Sequence, residues 1–177
     1  IFMLTGRTLL LGACACTPAY RAIEIAEYFT SLGADVKTIV TENATHMVST
    51  QVLQRASRNP VQVNQFENPI VWDQDYRAWT AGGDVLLIAP ASADMLGKIA
   101  NGIADDYLST NTLSFGPKFI AMNMSPMLYR NAAVQRNVRH LAEDGYYFIS
   151  NQSSDNPARM PSVEQITDTI ISFLMSN

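Results

Sequence analysis

Charge is scarce in this chain of 177 residues. Asp, Glu, Lys and Arg make up 16 %, against 47 % hydrophobic residues. So apolar a composition calls for a large core or for surface covered in an oligomer. The 12 Lys and Arg are scattered and outnumbered by 16 acids, leaving a net charge of −4. No basic stripe exists, which excludes nucleic acid as a partner. No apolar run reaches the ~18 residues that span a bilayer. No signal-peptide pattern opens the chain, and a start at Ile1 leads us to expect that the natural beginning has been lost. Cysteine is limited to Cys14 and Cys16, too close together to staple anything and expected to face opposite sides of a strand end. A reducing cytoplasm fits. Histidine is limited to His46 and His140. The glycines never fall at the G-x-G-x-x-G spacing, and the Walker lysine is missing, which argues against NAD and ATP.

What is present alternates strand and helix. Thr8 to Cys14 is an apolar run of strand length. A helix follows over Pro18 to Leu32, with Ala22, Ile25, Ala26, Phe29 and Leu32 on one side and Gly33 as its C-cap. A strand over Val36 to Thr41 leads to a helix over Ala44 to Gln54, then a short strand within Pro60 to Phe66. A buried strand over Asp84 to Ala89 enters a turn of small residues, Pro90 to Ala93. The next helix starts at Asp94, with Ser92 and Asp94 able to cap it and Leu96, Ile99, Ala100 and Ile103 on one face. Lys118 to Met122 is a strand, Tyr129 to Glu143 a helix, Tyr146 to Ser150 a strand and Val163 to Met175 a closing helix. This order predicts one domain over 1–177, a Rossmann-like (flavodoxin-like) three-layer α/β sandwich with a parallel sheet. Residues 151–161, rich in Ser, Asn, Asp and Pro, read as a mobile flap.

Three turns carry polar groups to the strand ends. In Gly12-Ala-Cys-Ala-Cys-Thr-Pro-Ala-Tyr20, Thr17 can cap and Pro18 can open a helix, offering free N–H groups to a phosphate. The same pattern suits a plain helix cap. Thr41 and Asn43 end the second strand beside this turn. Asn123 follows a buried strand, where its amide can hold a carboxylate or serve only a structured turn, with Met residues supplying soft apolar surface.

Together these segments resemble the flavin-containing cysteine decarboxylases, which include the phosphopantothenoylcysteine decarboxylases and the peptidyl-cysteine decarboxylases of ribosomal peptide antibiotics. Pro90-Ala-Ser-Ala-Asp-Met95 is similar to the family's P-A-S-A-N-T motif, and Lys98-Ile-Ala-Asn-Gly-Ile-Ala-Asp105 continues it. Ala121-Met-Asn123, then Met127-Leu-Tyr-Arg-Asn131 and Gln135-Arg-Asn137, resemble P-x-M-N-x-x-M-W and its downstream helix. Met160-Pro161 matches the end of the substrate flap.

The resemblance implies FMN as cofactor and a homo-oligomer, a trimer or a dodecamer. Carried over by position, it places Ala15, Cys16 and Thr17 near the FMN phosphate. Thr41, Glu42 and Asn43 lie along the same cofactor. Ser92, Ala93, Asp94 and Met95 lie beside the isoalloxazine, with Ala121 nearby. Asn123 takes the carboxylate of the substrate cysteine, and Met124, Met127 and Met160 line the substrate. Met127 and Leu128 both stand where the family has one Met, because the chain is two residues longer there.

Four departures refine this. Cys16 stands where Ser is common, and Asp94 where the motif has Asn. The family's His falls on Tyr76, which with a solution pKa near 10 is a poor base but can donate a hydrogen bond or shape the pocket. The flap has no cysteine to return the oxidised intermediate to a saturated product. The resemblance therefore favours the peptide branch: oxidative decarboxylation of the C-terminal cysteine of a precursor peptide to an aminoenethiol, the precursor of aminovinyl-cysteine. The alternatives are phosphopantothenoylcysteine decarboxylation in coenzyme A biosynthesis and a non-catalytic, FMN-binding regulatory homologue. Flavin prenyltransferases share the fold, but their motifs fit less well.

Overall fold

The computed structural model describes residues 2–64, 66 and 80–177. Six parallel strands form one sheet: β1 (Thr8–Ala13), β2 (Asp35–Val40), β3 (Val61–Gln62), β4 (Val85–Ala91), β5 (Lys118–Met122) and β6 (Tyr147–Phe148). Their order is β3-β2-β1-β4-β5-β6, the doubly wound order. Without the two-residue edge strand β3 the remaining five follow the flavodoxin-like order. The expected fold class is therefore the observed one.

The strands are continuous apolar runs because helices cover both faces. Side chains alternate faces along each strand. Leu9, Leu11, Val85 and Leu87 join one buried cluster, while Leu10, Leu86 and Ile88 join the other. Burying one such side chain contributes about 1.5–3 kcal/mol. A one-residue slip would reverse every assignment, so the parallel register of Leu9 with Val36 and Val85 is strongly specified.

The first face is covered by α1 (Arg21–Ser31), α2 (Thr50–Ser57) and α7 (Val163–Ser176). The second is covered by α3 (Ala93–Ala100), α4 (Tyr107–Leu113) and α6 (Ala132–Glu143). In α1 the expected stripe of Ala22, Ile25, Ala26 and Phe29 is buried. Gly33 closes the helix with a φ of +89°, the left-handed conformation that glycine adopts without penalty. A short helix, α5 (Pro126–Tyr129), precedes α6.

Several expected boundaries moved. The helix read over Ala44 to Gln54 is two pieces, a 3-10 turn over Glu42–His46 capped by Thr41 and then α2 capped by Ser49. The first helix starts as a 3-10 turn over Thr17–Tyr20, with Pro18 out of helical geometry. The helix after β4 stops at Ala100. Gly102 has a φ of +69°, so Ile103 is exposed instead of joining the apolar face. Asp106 then caps α4 through a capping box with Ser109. The helix expected from Tyr129 starts at Ala132, capped by Asn131, and Tyr129 instead ends α5.

Candidate functional site

The site is built at the C-terminal edge of the sheet, where the crossovers change direction between β1 and β4. Backbone hydrogen bonds continue past the strand ends and fasten the loops into one rim. Thr41 N–H donates to the Ala13 carbonyl, Cys14 N–H to that of Pro90 and Asn123 N–H to that of Ala91, each at 3.0 Å. The turns after β2, β1, β4 and β5 thereby stand side by side. Thr41, Cys14 and Asn123 are brought to one rim, with Ser92 directly after β4.

The turn after β1 alternates in exposure: Ala15 and Thr17 face solvent, while Cys14 and Cys16 are buried. Both cysteines lie in the second cluster, not on opposite sides, because a two-residue step returns the side chain to the same face. Burial pushes the Cys14 thiol up to about 12, against a smaller lowering by hydrogen bonding from Ser92. Burial also pushes Cys16 up to about 11. Both are neutral thiols at pH 7. Cys16 Sγ donates to the Asn123 carbonyl at 3.5 Å, tying the first turn to the third.

The turn after β4 ends in Ser92, whose Oγ accepts from Met95 N–H at 3.2 Å and caps α3. Ser92, not Asp94, is the cap. Asp94 is exposed and pairs with Lys98 at 3.5 Å. Lys98 also meets Asp105 at 3.2 Å and Asp106 at 3.3 Å. Burial opposes its charge, but these three carboxylates outweigh that and hold the ammonium above its ordinary range. The negative charge of Asp94 is thus met by Lys98. The Met95 side chain is wholly buried in the second cluster and Ala121 in the first. Neither side chain faces the rim.

Asn123 is anchored by the segment that follows Asn156. Met160 N–H donates to its Oδ1 at 3.2 Å, which fixes the amide orientation because a backbone N–H must meet the oxygen. Among the described residues nothing accepts from its NH2 group, which leaves two donors for the cleft. The expected flap is an irregular segment whose second half is fastened to this turn. Met124 N–H donates to the Ala158 carbonyl at 2.9 Å, and Asn156 Nδ2 to the Met124 carbonyl at 3.1 Å. Ala158 and Met160 are buried, as is Met124, whose side chain joins the second cluster instead of presenting a free surface. Met127 is 80 % exposed and Leu128 is 45 % exposed. Tyr76 lies outside the described residues.

Thr17, Tyr20, Arg21, Asn123, Arg159 and Met160 line an open cleft of about 210 Å³. Neither arginine was read as a site residue from the sequence. Arg159 adjoins the Met160-Pro161 pair, and Arg21 adjoins the first turn, but only the fold brings them together.

The rim suits a flat ligand that carries an anion. Its first turn offers the exposed Ala15 backbone and the Thr17 hydroxyl, holds no carboxylate between residues 14 and 20, and keeps its thiols neutral. Asn43 is exposed at the next turn, while the Thr41 hydroxyl already accepts from Ala44 N–H at 3.3 Å. This donor set fits FMN, a mononucleotide.

The strand order and rim define a doubly wound α/β domain with its ligand site at the switch point. The family model described as Flavoprotein matches residues 3–175, and this chain belongs to that family. It is 39 % identical over 151 residues to the coenzyme A biosynthesis bifunctional protein CoaBC of Bacillus subtilis (strain 168), covering 83 % of this chain and 36 % of the relative. It is 31 % identical over 151 residues to a probable phosphopantothenoylcysteine decarboxylase of Streptococcus mutans serotype c (strain ATCC 700610 / UA159), covering 84 % of each. Among solved structures, the FMN-dependent cysteine decarboxylase SpaF superposes with a TM-score of 0.83 at 27 % identity, covering 97 % of this chain and 98 % of that one. The chain thus spans little more than a third of the bifunctional relative. Among the described residues no helix is long and apolar enough to cross a membrane.

Proposed function

We propose that this protein is an FMN-dependent decarboxylase that oxidises a cysteine bearing a free carboxylate. The cysteine is the last residue of a precursor peptide, and the product is the aminoenethiol. The observation that carries this reading is the Asn123 amide, held by Met160 N–H with its two donors left to the cleft. Membership of the Flavoprotein family and the likeness to an FMN-dependent cysteine decarboxylase support the cofactor and the reaction type.

Ala15, Thr17, Thr41 and Asn43 would hold FMN, with Ser92 and Ala93 beside its ring. When bound, FMN supplies the two-electron acceptor for oxidation at the cysteine Cβ. The C=S bond so formed in the substrate accepts the Cα electron pair as CO₂ leaves. Asn123 holds the carboxylate through neutral N–H donors, which orient it while adding little ground-state stabilisation to a charge that must depart. The fastened strap and the Met160 side chain narrow the approach to that amide. In this reading the chain assembles as a trimer or dodecamer, and the exposed Met127 and Leu128 are part of what assembly or substrate covers.

The peptide substrate is favoured by the segment 151–161, which has no cysteine to reduce an enethiol. The second reading, phosphopantothenoylcysteine, is favoured by the two sequence relatives. Mass spectrometry after aerobic incubation separates them. A cysteine-ended peptide should lose about 46 Da, CO₂ plus two hydrogens. Turnover of phosphopantothenoylcysteine with the peptide untouched would establish the second reading, and no turnover of either would leave a binding protein.

A further inference from the structure

In a chain whose net charge is −4, the cleft beside Asn123 is lined by two guanidinium groups and no carboxylate among the described residues. Among the described residues the Arg21 guanidinium approaches the ring of Tyr20, 6.0 Å from its centroid. Arg159 is held through its backbone, its N–H donating to the Asn156 carbonyl at 3.0 Å. Neither side chain forms an ion pair among the described residues, while Lys98 alone gathers three carboxylates. What sets Arg21 and Arg159 apart from the other arginines is that both line one cleft with no carboxylate among its described lining residues, a pairing of guanidiniums suited to an oxyanion.

That ligand is not the carboxylate that reacts. Decarboxylation carries charge away from the carboxylate, so an arginine paired with it would stabilise the ground state more than the transition state and slow the step. A neutral amide suits the reacting group, and Asn123 supplies it. The arginines are left for an oxyanion that survives turnover, either the phosphate of a cofactor held by the Thr17 turn or a second anionic group of the substrate. The cleft is small: 210 Å³ corresponds to a sphere roughly 7 Å across, the reach of about two residues of extended chain. An acidic side chain close to the terminal cysteine fits this span.

We propose that Arg21 and Arg159 form a specificity seat for a second, non-reacting carboxylate of the substrate, supplied by an acidic residue one or two positions before its terminal cysteine. This rests on the peptide reading of the site.

The test uses the FMN-loaded protein and two unreactive peptides ending in serine, alike except for Glu or Gln at the penultimate position. Titration calorimetry should show the Glu peptide binding about tenfold more tightly. The preference should shrink with added salt and vanish in Arg159→Gln and in Arg21→Gln. With the matching cysteine peptides, the loss in Arg159→Gln should fall on KM more than on kcat. Equal affinities, no binding of either peptide, or a preference that survives both substitutions would overturn the seat. So would variants that lose FMN affinity while keeping the peptide preference, because the arginines would then serve the cofactor phosphate. Absence of the 46 Da product from the cysteine peptides, with the Glu preference intact, would instead count against the decarboxylase reading alone.

Discussion

The two faces of the sheet are packed from different materials. The first, under α1, α2 and α7, is almost wholly Leu, Ile, Val, Ala and Phe, with Met160 its one buried sulfur among the described residues. The second, under α3, α4 and α6, holds both cysteines, Met95, Met122 and Met124, and two tyrosines, Tyr107 and Tyr146. Branched aliphatic and aromatic side chains interlock in few ways, whereas thioethers and thiols adapt to irregular space. The first face therefore fixes the sheet. The second, continuous with Cys16 and the Asn123 turn, carries the groups whose chemistry the rim uses.

The largest effect that would test this division is on stability. Phe29→Ala empties a fully buried site in the first cluster and should cost about 3–5 kcal/mol. The division itself is tested by a matched pair of volume-conserving swaps at fully buried sites, Leu87→Met in the first cluster and Met95→Leu in the second, each costing less than about 1.5 kcal/mol with the larger loss in the first. Urea denaturation of all three variants decides it. Similar losses in the two swaps would mean that the two faces do not differ in how closely they are fitted.

Next in size is an effect on activity without an effect on folding. Asn123→Asp keeps an oxygen for Met160 N–H, so the strap stays fastened, but it replaces the NH2 donors with a second carboxylate oxygen facing the substrate. Decarboxylation should fall by at least about 100-fold, in line with losing one positioned donor. Flavin absorbance and melting temperature should hardly change. Normal turnover would remove Asn123 from the carboxylate, and a colourless or unfolded variant would make it a scaffold residue.

The same contrast explains what could be read in advance. Strands and the α1 stripe were legible because burial on both faces writes long apolar runs, as in Lys118 to Met122. Asn123 was legible because it directly follows such a run. The interruptions were harder. Thr41 and Ser49 are two caps within nine residues, yet Thr41 reads as a strand end and Ser49 is absorbed into one long helix, while the Asp106–Ser109 capping box that announces α4 goes unread. Ile103 fell at the right spacing, but Gly102 had already turned the chain. Arg21 and Arg159 lie 138 positions apart in the sequence, so no local period links them. They meet only because the strap is pinned to the turn after β5, a consequence of the Met160–Asn123 and Asn156–Met124 hydrogen bonds.

The smallest expected effect sharpens the comparison by pH. Cys14, Cys16, Tyr107 and Tyr146 all belong to the second cluster, and burial raises all four, the thiols to about 12 and about 11 and Tyr146 to about 12. The first cluster has no ionisable member. In the unfolded chain these thiols ionise from their ordinary 9.0 and the phenols from 10.0, while the folded state keeps their protons. Over that interval the unfolded state binds fewer protons, so stability falls as pH rises. The contribution is complete below pH 9 and is lost progressively toward 11–12. Thermal melts from pH 7 to 11 should show a plateau and then a decline. Cys14→Ala should flatten part of that decline, because one of the four groups is gone. Ile25→Val in the first cluster should lower the melting temperature by a similar amount at every pH. A decline unchanged in Cys14→Ala would remove Cys14 from the groups that cause it.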